Sequence, residues 1–215
     1  MSIYKADSLQ SLIEFRDSTL QLGIFERRQP EGGASFFKNL MKQDFEIKGT
    51  INLMNVHNDL RKLLLKIIDP SLRVNDFYNY WLSDMEEVCK TFCYMENTNS
   101  LSFWLGTRRG CRRYHVDNVS KRLLVTYAGQ GTEWIPNNSA DRRAYEAGEP
   151  NKNIIRNKND INFIDEWSIA IFKGGSDGIL HRTPDTALNG PSILMRLDPP
   201  HFLIKTYPAE TFELN

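Results

Sequence analysis

A histidine and an aspartate stand one residue apart in the run YHVDNVSKRLLVTYAGQGTEWIP, at His115 and Asp117. Successive side chains of an extended chain alternate, so residues two apart share a face. On a strand over 112–117 both groups would reach one ion, and a neutral imidazole with a carboxylate suits first-row divalent metals. A third ligand must come from elsewhere, and His181 in GILHRTPD is the candidate. Two histidines and one carboxylate form a facial triad that leaves coordination positions open. Arg196 follows in SILMRLD, fifteen residues after His181. Alternation there puts Ile193, Met195 and Leu197 on one face, and Leu194 and Arg196 on the other. An arginine in such apolar surroundings needs an acidic partner. The carboxylate of a bound ligand would serve, as would Asp198 if the strand bends. The plainer reading of His115 and Asp117 is a capped turn.

Three further side chains could support such a centre. Arg113 shares the alternating face of His115 and lies roughly 7 Å along the strand. Glu133 in GTEW could ligate the ion, orient a ligand histidine or cap a turn. Arg182, directly after His181, could hold an anion, although adjacency points it to the opposite face. The run TRRGCRRYHVD also carries Arg108, Arg109 and Arg112. It could receive an anionic substrate or be a strand edge protected by charge. Cys111 would sit roughly 13 Å from His115 on a straight strand, too far to ligate. Cys89 and Cys93 are neighbours at i and i+4 of a helix and read as buried free thiols, a stronger reading than a zinc site shared with Cys111. Trp134 and Tyr127 read as pocket wall or core, and His57 and His201 as structural. No GxSxG, GxxxxGK[ST] or strand-following GxGxxG occurs.

The background composition is that of an ordinary soluble protein: 215 residues, 40% hydrophobic, 25% charged. Formal net charge is zero, which argues against a general nucleic-acid or anionic-membrane binder. No apolar run approaches the roughly 20 residues that span a bilayer. The first residues lack the basic-then-apolar order of a secretory signal. Three sparse cysteines make a poor disulfide framework, so a cytoplasmic location is expected.

The elements that must position these groups change near residue 100. Before it, ADSLQSLIEFRDSTLQLG, NLMNVHNDLRKLLLKII and VNDFYNYWLSDMEEVCKTFCYM carry apolar residues at helical spacing. The last places Phe77, Tyr80, Trp81, Met85, Val88, Phe92 and Met95 in one stripe. RRQPEGGASFF reads as a loop entering a short helix. After residue 100, strands are expected near 101–106, 112–117, 122–128, 132–135, 167–173, 179–183 and 192–197, with another at 202–207. The polar stretch 136–162 is long for a plain connection and reads as a loop that could close over the site. The expectation is one α+β domain over 1–215. It comprises a mainly helical part over 1–100 and a jelly-roll, metal-binding core over 101–207, with the helices on one outer face.

The order His115, Asp117, distant His181 and then Arg196 resembles that of the iron(II)- and 2-oxoglutarate-dependent dioxygenases. That resemblance implies a double-stranded β-helix, Fe(II) held by the three ligands, and 2-oxoglutarate held through its far carboxylate by Arg196. The gap between His181 and Arg196 is somewhat longer than is usual there. More narrowly, the HVD…RLL.TY.G.GTEW core with GILHRTP and RLD looks like the bacterial family called domain of unknown function 1826, over roughly residues 30–200. Two functions stay open: an oxygenase acting on a small molecule or another substrate, and a non-redox zinc protein for metal homeostasis, sensing or hydrolysis.

Overall fold

Apolar side chains recur at two spacings in the chain, and the fold sorts them into helices and strands accordingly. The computed structural model describes residues 3–200 and 202. The chain begins with β1 (Ile3–Ala6), a 3-10 helix (Ser11–Asp17) and β2 (Leu22–Phe25). Next come α1 (Gly33–Leu40), β3 (Glu46–Asn52), α2 (Val56–Leu65), α3 (Pro70–Arg73) and α4 (Asp76–Glu96). The second half contributes β4 (Ser100–Gly106), β5 (Lys121–Ala128) and β6 (Glu133–Ile135). It continues with α5 (Arg142–Glu146), α6 (Asn151–Ile154), β7 (Asn162–Phe163) and β8 (Ile169–Lys173). It ends with β9 (Leu180–Arg182), α7 (Asp185–Asn189) and β10 (Ile193–Asp198).

Among the described residues, seven strands form one sheet in the order β1-β2-β8-β5-β10-β4-β3. Strands β1 and β2 pair in parallel; the other neighbours are antiparallel. A second sheet has the order β7-β6-β9. The result is a mixed α/β protein with a large, mostly antiparallel sheet. On one face of that sheet Leu123, Val125, Ile169, Ile171, Ile193, Met195 and Leu197 join Phe36, Phe37, Leu60, Leu64, Trp81 and Met85 from the helices. Its other face joins Trp104, Leu124, Phe172 and Leu194 to Trp134 of the small sheet. No helix among the described residues is long and apolar enough to cross a membrane.

Helix α4 shows why this sequence builds these elements. The Asn75 side chain accepts from the Phe77 amide at 2.9 Å and caps its start. Asn97 in the left-handed region, at φ 50°, ends it. Phe77, Trp81, Met85, Val88, Phe92 and Met95 are buried along one face, each contributing about 1.5–3 kcal/mol. Tyr80 leaves that stripe and is exposed. Cys89 and Cys93 are buried free thiols on the same helix, and burial pushes the Cys93 thiol up to about 11.

Three expectations are corrected. The first helical segment is replaced by β1, the 3-10 helix and β2. Leu12 and Phe15, three apart, suit the three-residue turn of a 3-10 helix. Gly23 lets the Phe15 ring lie flat on β2, where an added Cβ would meet it at 2.8 Å. β3, whose Ile47 and Ile51 are buried against the helices, is a strand that the sequence reading did not assign. The 112–117 segment is not a strand: it makes one isolated bridge, His115 with His181. The 136–162 stretch is not structureless, because it holds α5, α6 and two 3-10 turns. Ala140 and Ile154 from it pack on Tyr114, Ile135 and Leu180. The strand expected at 202–207 and His201 lie outside the described residues, apart from Phe202.

Candidate metal centre

His181 sits on β9, opposite Trp134 of β6. On its other side, the amide of His115 donates to the His181 carbonyl and the amide of His181 donates back, each at 3.0 Å. This reciprocal pair brings the two rings to a centroid distance of 4.5 Å. Asp117 follows two residues on, and its carbonyl accepts from the Gly175 amide at 2.9 Å. Gly174 permits that approach, since a Cβ there would collide with the Asp117 carbonyl oxygen.

One ligand atom from each of His115, Asp117 and His181 lies within 4.8 Å of the other two. His181 Nε2 is 3.3 Å from Asp117 Oδ2, and His115 Nε2 is 3.9 Å from Asp117 Oδ1. Both histidines use the same device to fix their tautomer. His115 Nδ1 is 3.1 Å from the Arg113 carbonyl, and His181 Nδ1 is 3.0 Å from the Ile179 carbonyl. A carbonyl only accepts, so Nδ1 carries the proton in each neutral ring and Nε2 presents a lone pair. Two lone pairs and a carboxylate therefore converge on one point. With the proton of His181 on Nδ1, the Nε2 that lies 3.3 Å away donates nothing to Asp117 Oδ2, which is buried without a donor; that is costly unless a proton or a cation sits there. Ligands about 2.1 Å from a common ion lie roughly 3 to 3.5 Å apart; the His181–Asp117 pair already has that spacing and His115 stands slightly wider, so the donor set suits a divalent metal once the His115 ring draws in.

The electrostatics match. Burial would raise the Asp117 pKa, but His181, Arg122 and His115 hold it down at about 2. Burial would lower that of His115, but Cys111, Asp117 and the Arg113 carbonyl raise it above the ordinary value. Arg122 of β5 donates from Nη1 to Asp117 Oδ1, and from Nε to Asp198 Oδ1 at 2.6 Å. Arg196 Nε lies 2.9 Å from Asp198 Oδ2. Asp198 is buried, and burial raises its pKa against the pull of Arg122 and Arg196. Asp117, Arg122, Asp198 and Arg196 thus alternate in sign along one buried chain.

Arg196 reaches the cavity beside the ligands, with its guanidinium 5.5 Å from the centroid of the Trp104 ring. No bend is needed for Asp198 to meet it, since residues two apart already share a face. Arg113 is placed elsewhere: its guanidinium donates to the carbonyls of Gly148 and Tyr145 and ties down the 136–162 segment. Only its main-chain carbonyl serves the site. Glu133 touches neither ligand ring. It binds Arg182 through both oxygens at 2.8 Å and accepts from the Tyr114 hydroxyl, so it braces the residues adjoining His181 and His115. Arg182 lines the same cavity as His181 but is held by Glu133, and it also lies 3.4 Å from Asp185.

Arg122 escapes the sequence reading, and Cys111 is expected there to lie too far from His115 to ligate. The straight-strand distance for Cys111 fails because the chain bends there, at φ 62°. The thiol hydrogen-bonds His115, which lowers its pKa against the effect of burial.

A cavity of about 370 Å³ opens on the ligands, lined by Trp104, Arg109, Cys111, Arg122, Leu124 and Arg196 among others. A larger recess of about 860 Å³ lies between α1, the start of β3 and the α2–α3 turn, lined by Lys42, Asp44, Lys66 and Asp69. The smaller one is the better candidate for chemistry, because it alone adjoins the one candidate metal-ligating cluster among the described residues.

The chain belongs to the family described as "Protein of unknown function (DUF1826)", which matches residues 6–198. No curated protein matches it. Among solved structures, a bsmA homologue from Methylobium petroleophilum PM1 is similar at 10% identity, 88% coverage of this chain and 92% of that one, with a TM-score of 0.42. A Shewanella oneidensis protein provisionally described as an oxygenase shares 12% identity over 92% of this chain and 88% of its own, with a TM-score of 0.41. A C-terminally truncated Neurospora crassa protein, in apo form, shares 10% identity over 89% of this chain and 87% of its own, with a TM-score of 0.38. Likeness at this level leaves the chemistry to be read from the residues.

Proposed function

We propose that this protein is a metal-dependent oxygenase of the iron(II)/2-oxoglutarate type, built on a double-stranded β-helix. The observation that carries the reading is the convergence of His115 Nε2, His181 Nε2 and the unpartnered Asp117 Oδ2 beside a cavity rich in arginine. His115, Asp117 and His181 hold the ion. Iron(II) with 2-oxoglutarate, when bound, supplies a two-electron oxidation in which dioxygen gives one oxygen atom to the substrate and one to succinate, with carbon dioxide released. Arg196, its guanidinium 5.5 Å from the Trp104 centroid and 5.4 Å from that of Phe202, receives the far carboxylate of 2-oxoglutarate. Arg122 keeps Asp117 ionised and oriented. Phe172, with its ring 4.3 Å from that of His181, and Leu124 give the ion an apolar wall that limits water. The helical 136–162 segment braces the ligand-bearing strands through Tyr114 and Leu180 and could close over the site. The free thiols suit a reducing cytoplasm.

One observation favours a second reading. Asp198 already neutralises Arg196, so a cosubstrate carboxylate must compete with it, whereas a zinc site for sensing or hydrolysis needs no such exchange. Anaerobic titration with iron(II) and 2-oxoglutarate separates the two. The oxygenase reading expects a visible charge-transfer band that is lost in Arg196→Gln. Zinc retained through purification, with no band on iron loading, would sink it in favour of the second.

A further inference from the structure

Four arginines crowd the run before the first ligand, and three of them are exposed, with partners at the surface. Arg108 Nε lies 3.1 Å from Asp44, Arg112 Nε lies 3.9 Å from Asp185, and Arg113 binds two main-chain carbonyls. Arg109 differs. It alone of the four is not exposed, and like Arg113 it has no carboxylate partner among the described residues. It donates from Nη1 to the Gln130 carbonyl and from Nη2 to the Thr132 hydroxyl, both at 3.2 Å. Its Nε is buried and bonded to nothing. A guanidinium has five N–H donors, so most of its capacity is unused.

The position of Arg109 gives that spare capacity a use. Arg109 lines the same cavity as His115, His181 and Arg196. Cys111, hydrogen-bonded to His115, also acts electrostatically on it. Arg122, Arg182 and Arg196 line this cavity too, but each meets a carboxylate of the protein. Burial pushes the Arg109 pKa down to about 10, so it is still charged at neutral pH. A partly buried cation without a counter-ion is costly unless a ligand brings one.

We propose that Arg109 anchors an acidic group, a carboxylate or a phosphate, of a small-molecule substrate held beside the metal. The placement of 2-oxoglutarate at Arg196 rests on the oxygenase reading; the anion site at Arg109 stands on its own contacts. A cavity of about 370 Å³ is near the lower end of the roughly 300–1,000 Å³ usual for small-molecule pockets. A small-molecule acid suits that volume.

The test uses zinc-loaded protein, which is redox-silent, titrated calorimetrically with inorganic phosphate and with succinate. Each titration is run with and without saturating 2-oxoglutarate. At least one probe binds the wild type in the presence of 2-oxoglutarate, and which one it is tells phosphate from carboxylate. Arg109→Gln weakens that probe about 10- to 100-fold and leaves 2-oxoglutarate affinity unchanged. Arg109→Lys keeps the charge without the planar fork and loses less; it carries the comparison if the glutamine variant does not fold. Lower thermal stability in the variants with unchanged anion affinity would mean that Arg109 merely braces the Gly129–Thr132 turn, and would overturn the proposal. So would failure of both probes to bind the wild type. Absence of 2-oxoglutarate binding alone defeats the oxygenase reading and leaves the Arg109 comparison intact.

Discussion

The two faces of the seven-stranded sheet are made from the same strands and have opposite chemistry. Along β5, Leu123, Val125 and Tyr127 turn to the helices, while Arg122 and Leu124 turn to the ligands. The helix face is an aromatic cluster: Trp81 meets Phe36, Phe37 and Tyr127 at centroid distances of 5.4–5.7 Å. The buried ion pair inside it is structural: Arg27 binds Asp84, which also accepts from the Tyr127 hydroxyl at 2.8 Å. The ligand face instead holds Asp117, His181 and Asp198 out of water with their counter-charges. Period-two alternation thus lets one strand serve stability with half its residues and binding with the other half.

The largest expected break in this division comes from the helix face. Trp81→Ala should cost about 3–5 kcal/mol in denaturant unfolding, with zinc affinity of the folded fraction unchanged. The converse comes from the ligand face. His181→Ala should lower zinc affinity by more than the roughly 10- to 100-fold typical of losing an outer-shell partner, and should cost the metal-free fold less than Trp81→Ala does. Comparable losses in both assays for either variant would erase the distinction between the faces.

Proton linkage sharpens the comparison further. The folded pKa of Asp117, about 2, lies below the ordinary 3.8. Its contribution, roughly 2 kcal/mol, is present above the unfolded value and lost as pH falls through about 2. His115 is shifted the other way. In metal-free protein its contribution is full below its unfolded value and fades as pH rises through the folded one. Metal needs the neutral ring, so protons compete with it. The zinc-induced rise in Tm should therefore shrink as pH falls from about 8 to about 5, and a rise independent of pH would count against His115 as a ligand. The smallest effect belongs to the periphery. Arg113→Ala should cost about 1 kcal/mol, seen as faster amide exchange over residues 142–154 with zinc affinity intact.

What could be read from the sequence followed the same physics. Helix α4 and strands β4, β5 and β10 were legible because their apolar periods are long and regular. The three converging side chains were legible by type, since few residues bind metals. Their geometry was not. The expected strand over 112–117 is an irregular segment, and a single bridge to His181 does the positioning. The bend at Cys111 has no sequence signal, because a positive φ at a non-glycine residue is set by its surroundings. Arg122 reads as a solvated strand end, and only the buried Asp117 and Asp198 on either side of it show otherwise. The N-terminal strands are four residues each, too short for alternation to outweigh the apolar spacing around them.

The reciprocal amide-to-carbonyl pair between His115 and His181 has a consequence for how such proteins diverge. It sets the distance between the two imidazoles by main-chain geometry alone, independently of whichever residues border the opening above them. Exchanges at positions such as Arg109 or Leu124 can then reshape the pocket over generations while the two imidazoles keep their spacing.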